Sequence, residues 1–321
     1  MKQKEILLFG ATGQIGRNLV RKLSKNDYRI TAVTRNIHQA GYILKTQSNP
    51  GYLRLVELKT FDLNKIDELV KNCSVCINLI GILYEKRKNQ FKIIHTDLPD
   101  LISQKAQQHN IDKFIHLSAL GIDEAIDSNY AKSKMEGEKR IIKNFYKHII
   151  LRPSIVYSVD DNFSTNFMSL LGKLPVMPLY YYGKTKFSPI HVTDLVDIIF
   201  DMVENKNDNL VLECVGPEEL TFKEILQKLL LSIKKKRILL PIPFPLAKLS
   251  AKLLQLLPNP LLTEDQLRLL KYDNIKSGNY KNNFDLGFKT NKKFEIEINK
   301  YSYNWRTGGQ FAKQNSIEGS K

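Results

Sequence analysis

The chain has 321 residues, of which 42% are hydrophobic, and its 49 lysines and arginines against 33 acids give a formal net charge of +16. This length suffices for the core of one large or two modest domains. The cysteine content, three residues, excludes a disulfide-rich secreted scaffold, and no stretch approaches the ~20 apolar residues of a membrane span. The charge favours an anionic partner, namely a phosphate-bearing ligand, an acidic protein, an anionic membrane surface or nucleic acid, although no nucleic-acid-binding motif is present.

The first twenty residues contain an apolar strand, predicted at Glu5–Phe9, that runs into a GxxGxxG turn and an amphipathic helix. Such a turn lets the backbone approach a dinucleotide pyrophosphate, whose charge lies at the helix N-terminus. The alternative is a glycine-rich turn without a ligand, but the strand before it and the helix after it favour a dinucleotide site. The predicted cofactor contacts of this turn are Gly10, Thr12, Gly13, Gln14, Ile15, Gly16 and Arg17.

The residues after the second predicted strand, Arg29–Val33, bear on the choice of dinucleotide. NAD sites usually place an acid here for the ribose 2′-hydroxyl, whereas an arginine accommodates a 2′-phosphate. No acid lies between Arg29 and Tyr52, and Arg35 stands at the expected place, with Arg17 nearby on the first helix. The alternative is that Arg35 is a solvated surface charge. The sequence favours NADP(H) over NAD(H).

Strand and helix alternate through the first half of the chain, as in a doubly wound parallel sheet. Further strands are predicted at 53–58, 74–80, 113–117 and 148–151, with an amphipathic helix around 97–109. Asp62 and Leu63 follow the third strand and are placed to contact an adenine. Asn78 and Gly81 close the fourth strand over the cofactor, where a glycine permits close backbone approach. No metal is predicted, because the CxxC at 73–76 lacks a second cysteine pair.

The second half has a looser pattern. A short strand around 187–192 precedes a helix predicted at 195–203 with Thr193 as its N-cap, and His191 is interpreted as packed rather than catalytic. A strand at 209–215 and a helix with a capping box of Thr221 and Glu224 follow. The predicted domains are 1–157, which binds NADP(H), and 158–305, from which about 185–215 returns to the first domain. Residues 306–321 are predicted to be a disordered tail.

A strongly apolar, weakly basic helix is predicted at 246–257. It packs on the second domain or, alternatively, faces a membrane interface or a partner subunit with its lysines toward the headgroups. The chain starts almost directly on its first strand, which leaves no room for a signal or transit peptide. We therefore expect a bacterial cytoplasmic protein, peripheral on the cytoplasmic face of the inner membrane.

Tyr130 and Lys134 are four residues apart and are expected on one face of a helix. In reductase chemistry a tyrosine phenol exchanges the proton while hydride moves to or from nicotinamide. A free phenol has a pKa near 10, so work at neutral pH requires a downward shift of about three units. Lys134 is expected to supply part of that shift as a nearby cation and to hydrogen-bond the nicotinamide ribose.

These motifs resemble those of the short-chain dehydrogenase/reductase superfamily in its extended, epimerase/dehydratase-like and atypical branches. The resemblance rests on the glycine turn, the Asp62 position, Asn78–Gly81, the Tyr130 and Lys134 pair, and LRPSIVY at 151–157. Within it, the chain is most similar to the family of the 39 kDa NADPH-binding accessory subunit of respiratory complex I and its alphaproteobacterial relatives. That closer similarity rests on CINLIG at 76–81, KFIHLS at 113–118, LLPIPFP at 239–245, LTEDQL at 262–267 and WRTGGQF at 305–311.

The resemblance implies a Rossmann domain followed by a smaller C-terminal α/β domain of the substrate-binding type, and it adds Pro153 and Ile155 to the cofactor contacts. It implies an NADP(H)-binding accessory subunit or assembly factor of complex I with a structural cofactor. Two departures from active members, Ala119 in place of a serine or threonine and Ser158 in place of a glycine, disfavour turnover. The alternative is an NADP-dependent reductase or epimerase that acts on a quinone precursor or nucleotide sugar, with Tyr130, Lys134 and Ser118 as catalytic residues. An NADP(H)-sensing regulator is a third interpretation.

Overall fold

The computed structural model describes residues 4–255, 260 and 262–311. The strands are β1 Glu5–Phe9, β2 Arg29–Thr34, β3 Leu53–Glu57, β4 Val75–Asn78, β5 Lys113–Leu117, β6 His148–Pro153, β7 Val156–Tyr157, β8 Val176–Leu179, β9 Lys186–Phe187, β10 Ile190–His191, β11 Leu210–Cys214, β12 Leu220–Thr221, β13 Ile238–Pro241 and β14 Lys281–Asn282. The helices are α1 Gln14–Lys25, α2 Ile37–Lys45, α3 Leu63–Lys71, α4 Leu98–Gln108, α5 Asn129–Asn144, α6 Ser164–Lys173, α7 Val192–Glu204, α8 Phe222–Ser232, α9 Phe244–Leu254, α10 Glu264–Leu269 and α11 Phe294–Asn299.

Eight strands form the central sheet in the order β14-β11-β6-β5-β4-β1-β2-β3, and its pairings are parallel. The strand order reverses between β1 and β4, so the connections after these two strands leave in opposite directions. In open α/β sheets, ligands bind in the crevice at this reversal, outside the carboxyl ends of the strands. The α/β fold with a Rossmann doubly wound parallel sheet, predicted from the sequence, is confirmed.

The apolar run of β1 is explained by burial on both faces of the sheet. Ile6 and Leu8 lie in one core with the apolar sides of α1 and α7. Leu7 and Phe9 lie in a second core with the apolar sides of α3, α4 and α5. All four side chains are 0% exposed. This burial holds β1 in place and so fixes the position of the glycine turn that follows it.

A separate core lies in the C-terminal half, where α6, α8 and α11 bury residues such as Met168, Leu229 and Phe294. Two later strands, β11 and β14, nevertheless extend the central sheet beyond β6, and α7 packs in the same core as α1. Of the predicted tail, Gly309–Phe311 form a short 3₁₀ turn, and residues 312–321 lie outside the described part of the chain.

Several boundaries differ from the prediction. Helix α7 begins at Val192, so Thr193 is not its N-cap; His191 occupies that position, and its Nδ1 accepts a hydrogen bond from the Thr193 amide. The reason is that β10 leads straight into the helix. The predicted apolar helix at 246–257 begins earlier, at Phe244, and is described to Leu254, with residues 256 and 257 outside the described residues.

A buried ion-pair network joins α5 to β6. Arg152, 4% exposed, donates to Glu138 from Nε at 3.0 Å and from Nη2 at 2.5 Å. It also donates to Asp123, at 2.5 and 3.2 Å, and its guanidinium stacks over the Tyr280 ring at 4.3 Å. Burial alone lowers the pKa of Arg152, but the hydrogen bonds and charges of Glu138 and Asp123 outweigh it and raise that pKa. The guanidinium is therefore held charged inside the protein.

Candidate nucleotide-binding site

The glycine turn between β1 and α1 is built for close backbone approach. Gly10 has a φ of +81°, which a residue with a Cβ rarely adopts. A Cβ on Gly16 would lie 2.3 Å from the Gly10 carbonyl oxygen. Gly13 is the N-cap of α1 and, among the described residues, no side chain caps this end. The first amides of α1 therefore remain available to an anion such as a pyrophosphate.

The polar side chains that follow in α1 contact the loop after β7. Gln14 Nε2 donates to Ser158 Oγ at 2.9 Å, and Arg17 forms an ion pair with Asp160. Ser158 also donates to Asp160 at 2.6 Å. Arg17 is therefore already neutralised by a carboxylate, and its binding to a phosphate requires that this pair open. Thr12 and Ile15 are half-buried in the same turn.

Arg35 lies one residue beyond the end of β2, and its side chain is exposed. Within the described ranges, no carboxylate pairs with it. Glu57, at the end of the neighbouring β3, accepts from the Ile37 amide at 3.3 Å and pairs with Lys59 at 3.7 Å. The site thus has a free cation where a 2′-phosphate is expected, which fits NADP(H), although NAD(H) fits the same glycine turn.

The predicted adenine contacts lie at the start of α3. Asp62 is the N-cap of this helix, and its Oδ1 accepts from the Lys65 amide at 2.9 Å. The side chain of Leu63 is 62% exposed in the first turn. An exposed leucine beside a capping carboxylate offers a purine both an apolar face and an acceptor, so the adenine contact stays a prediction with a suitable surface.

Asn78 and Gly81 shape the loop after β4. The Asn78 side-chain Nδ2 donates to His116 Nδ1 at 3.2 Å, and its Oδ1 accepts from the Ile80 amide at 3.1 Å. These bonds end β4 earlier than the predicted position 80. A Cβ on Gly81 would lie 3.5 Å from Lys134 Nζ, so the backbone at Gly81 passes directly beside this lysine.

Tyr130 and Lys134 lie in the first two turns of α5, as their spacing predicts. Lys134 is 3% exposed, and its Nζ donates to the Leu117 carbonyl oxygen at 2.9 Å. Burial lowers the pKa of Lys134 to about 8, against the opposing charge of Glu138. Burial raises the pKa of Tyr130 to about 12. This direction is opposite to the shift that acid–base work at neutral pH requires.

His95, a residue not predicted from the sequence, contacts Tyr130. It lies in a π-helix, Lys92–Asp97, that precedes α4. Its Nε2 accepts from the Ile82 amide at 3.1 Å, and its Nδ1 pairs with Ser133 Oγ at 2.9 Å. The His95 and Tyr130 rings meet edge to face, with centroids 5.2 Å apart. His95 therefore ties the loop after β4 to α5.

The hydrogen bonds of His95 determine its tautomer. Ser133 donates to the Tyr130 carbonyl oxygen at 2.8 Å, so its oxygen accepts from His95 Nδ1. Burial, together with the nearby charge of Lys134, lowers the pKa of His95 to about 2. The imidazole is thus neutral and serves as a fixed link. No pattern in the sequence predicts the π-helix in which His95 lies.

Two polar side chains on β5 and just after it have atoms that no described residue satisfies. These are His116 Nε2 and Ser118 Oγ, on side chains 0% and 4% exposed. Buried polar atoms without a partner are uncommon in folded proteins and often face a ligand or an ordered water. Ser118 is thus available as the predicted carbonyl-orienting group. Ala119 packs with Tyr130 in a small apolar cluster.

The remaining predicted contacts are Pro153, buried at the end of β6, and Ile155, half-buried beside the C-terminal core. Their contact with a cofactor stays a prediction. Among the described residues, no group of three or more histidine, cysteine, aspartate or glutamate side chains is arranged to hold a metal.

A protein-family model described as NAD(P)H-binding matches residues 10–169. The chain is 26% identical over 284 residues to NADH dehydrogenase (ubiquinone) 1 alpha subcomplex subunit 9 of Arabidopsis thaliana, which covers 85% of this chain and 71% of the relative. It is also 26% identical to the Mus musculus protein of the same name, over 93% of this chain and 81% of the relative.

Other similarities are to enzymes. A ceramide reductase of Caulobacter vibrioides is 28% identical over 193 residues, which cover 59% of this chain and 57% of the relative. Among solved structures, a dTDP-glucose 4,6-dehydratase from Streptomyces venezuelae, with NAD bound, superposes with a TM-score of 0.69 at 15% identity, covering 94% of this chain and 96% of the other. At this identity the similarity establishes the fold alone.

Proposed function

Because its Rossmann domain belongs to the epimerase/dehydratase-like short-chain dehydrogenase/reductase superfamily, we propose that this chain binds NADP(H) as a structural cofactor. We further propose that it acts as a peripheral accessory subunit or assembly factor of respiratory complex I. The proposed location is the bacterial cytoplasm, on the cytoplasmic face of the inner membrane.

The burial and hydrogen bonding of Tyr130 and Lys134 are the main support for a structural rather than a catalytic cofactor. The lysine is buried and hydrogen-bonded to the Leu117 carbonyl oxygen, and the pKa of Tyr130 is raised to about 12. A lysine held in this way supports a ribose-binding role better than activation of a phenol. The proposal that this assembly is respiratory complex I is based on the similarity to relatives that are named as subunits of NADH dehydrogenase.

Helix α9 is the proposed docking surface. Phe244, Leu246, Leu249 and Leu253 are 55–62% exposed along it, and the exposed Lys252 lies in its last turn. Apolar side chains interspersed with lysines suit an anionic membrane interface or an apolar subunit face. No helix in the described ranges is both long and apolar enough to cross a bilayer, so attachment through α9 would be peripheral.

The role in complex I is tested by native electrophoresis of gently solubilised membranes from the source cell. We expect this chain to comigrate with the band that has in-gel NADH dehydrogenase activity, or with a smaller assembly intermediate. Migration only as a free monomer or small oligomer would contradict the proposal. A quadruple variant with Phe244, Leu246, Leu249 and Leu253 changed to serine is expected to lose the comigration and keep its bound nucleotide.

The proposed preference for NADP(H) depends on Arg35. We expect Arg35→Ala to weaken NADPH binding about 10- to 100-fold and to leave NADH binding nearly unchanged, because a charge-assisted hydrogen bond contributes ~1.5–3 kcal/mol. Arg29→Ala is the matched control, since Arg29 is exposed at the opposite end of the same strand. Fluorescence titration with both nucleotides measures the effect. Equal losses for NADPH and NADH would count against a 2′-phosphate contact.

The second candidate function is an NADP-dependent reductase or epimerase. The unsatisfied hydroxyl of Ser118, which follows the residue whose carbonyl oxygen accepts from Lys134, favours it. Its substrate would be a carbonyl compound such as a quinone precursor or a nucleotide sugar, with Tyr130 as the acid.

A Tyr130→Phe variant separates the two functions. Under the structural proposal we expect unchanged respiratory activity and nucleotide affinity within about threefold, since the ring contacts with His95 and Phe91 remain. A general acid typically contributes 10²–10⁴-fold in rate, so an enzyme would lose nearly all turnover. Complementation of a deletion strain measures the outcome, with Tyr146→Phe, an exposed tyrosine, as the control. A null phenotype with nucleotide retained would favour the enzyme.

A further inference from the structure

The N-terminus of α5 is capped from a distant part of the chain. Asp265, on the short helix α10, accepts from the Asn129 amide at 2.7 Å through Oδ1 and from the Tyr130 amide at 3.0 Å through Oδ2. Ser128 Oγ donates to the same Oδ2 at 2.8 Å while it accepts from the Ala131 amide at 3.2 Å. Three amides in the first turn of α5 are thus satisfied by Asp265 and Ser128 together.

Helix α10 also contacts both the Tyr130 region and helix α9. Leu269, at its end, and Tyr272, just beyond it, pack in the cluster that contains Tyr130 and Ala119. Leu267, 2% exposed, packs in a different cluster with Ala247 and Ala251 of α9. A single short helix therefore joins the exposed helix α9 to the turn that holds Tyr130.

The Asp265 link is more rigid than a lone surface contact. The side chain of Asp265 is 15% exposed, and Arg268 lies 3.8 Å away on the same helix. Arg268 also donates to the Asp127 carbonyl oxygen at 3.3 Å, one residue before the N-cap of α5. A carboxylate that accepts two amides at a helix N-terminus also complements the helix dipole. The position of the first turn of α5 thus depends on where α10 is docked.

We propose that Asp265 is a positioning residue that holds the first turn of α5, and with it Tyr130 and Lys134, in the geometry that binds nucleotide. Coupling between two sites is reciprocal. Nucleotide bound against Tyr130 and Lys134 therefore stabilises the docking of α10 on α5. It also stabilises the side of α9 that packs on α10 through Ala247 and Ala251. The inference rests on the nucleotide-binding part of the proposed function and is independent of the role in complex I.

The test compares Asp265→Ala with Glu264→Ala. Glu264 is the neighbouring residue in the same first turn of α10 and carries the same charge, and its side chain lies 3.9 Å from Lys252 instead of against α5. We expect Asp265→Ala to weaken NADPH binding about tenfold, as the loss of one strong cap predicts, and Glu264→Ala to stay within twofold. Urea unfolding of both variants checks that they remain folded.

Hydrogen exchange supplies a readout that loss of general stability does not reproduce. In the unmodified chain, saturating NADPH is expected to slow amide exchange in 129–131 and also in 244–254. Glu264→Ala is expected to keep this response in both segments, and Asp265→Ala to lose it in 244–254. If NADPH leaves exchange in 244–254 of the unmodified chain unchanged, or if the two variants bind NADPH equally, the Asp265 proposal is overturned. If the unmodified chain binds neither NADPH nor NADH, nucleotide binding itself fails, and the Asp265 proposal fails with it.

Discussion

Replacement of Glu138 by glutamine is expected to lower the free energy of unfolding by about 3–5 kcal/mol, because it leaves the buried charge of Arg152 without its buried carboxylate partner. Arg152 and Glu138 are each about 4% exposed, so water cannot take the place of the lost carboxylate. Asp123, at 38% exposure, offers only partial compensation. Equilibrium unfolding in urea at neutral pH measures the loss.

The control for this prediction lies on the same helix. Glu136 pairs with Arg140 at 3.0 Å in an i,i+4 arrangement, and its side chain is 50% exposed. We expect Glu136→Gln to change stability by no more than ~0.5 kcal/mol. The double variant Glu138→Leu with Arg152→Met should recover most of the loss, since an apolar pair of similar volume often replaces a buried ion pair at little cost. Equal effects of Glu138→Gln and Glu136→Gln would contradict the assignment of a buried network.

Local features of this fold follow from the sequence. The bounds of β1 and β5 match the prediction, because a short stretch rich in buried apolar residues marks each strand. The capping box of α8 also matches: Thr221 Oγ1 accepts from the Glu224 amide at 3.2 Å, and Glu224 accepts from the Thr221 amide at 2.7 Å. These interactions connect residues within four positions, so a sequence pattern contains both partners.

Features that depend on distant residues do not follow in this way. The side chain of Lys134 is oriented by its hydrogen bond to the carbonyl oxygen of Leu117, 17 positions earlier. Asp265 accepts from the amide of Asn129, 136 positions away. Burial sets the direction of the Tyr130 pKa shift, and burial is a property of the whole fold. The motif LTEDQL distinguishes the family that this chain resembles from other members of the superfamily. The motif does not predict that Asp265 accepts hydrogen bonds from the helix that contains Tyr130.

Four histidines of the chain are buried with lowered pKa values, and this has a consequence for acid stability. They are His95, His116, His148 and His191, and burial is the first cause of the lowered pKa in each. The pKa of His95 lies at about 2 and that of His191 at about 4, while that of His116 lies well below its usual value. Protonation of His95, His116 or His191 breaks the hydrogen bond that a ring nitrogen of each accepts. His148 instead donates from Nδ1 to the Phe145 carbonyl oxygen.

We therefore expect the chain to lose stability steeply as the pH falls below about 6.5. Between the usual and the lowered pKa of a histidine, the unfolded state binds a proton that the folded state does not, so folding weakens by ~1.4 kcal/mol per pH unit for each such group. His95 and His191 remain neutral to pH 5 and together remove roughly 4 kcal/mol between neutral pH and pH 5, which is a large share of the whole stability of many domains. Asp161 and Asp194, whose pKa values burial raises, oppose this loss at lower pH.

Urea unfolding at a series of pH values measures this slope, and one histidine offers a matched variant. His191 caps α7 through its ring nitrogen, and asparagine is a good N-cap that does not titrate. His191→Asn is therefore expected to reduce the slope below pH 6.5 by ~1.4 kcal/mol per pH unit while stability at neutral pH changes little. His38, which is exposed, supplies the control, and His38→Asn should leave the slope unchanged. A slope that is the same in all three proteins would mean that carboxylates, and not the buried imidazoles, control the acid transition.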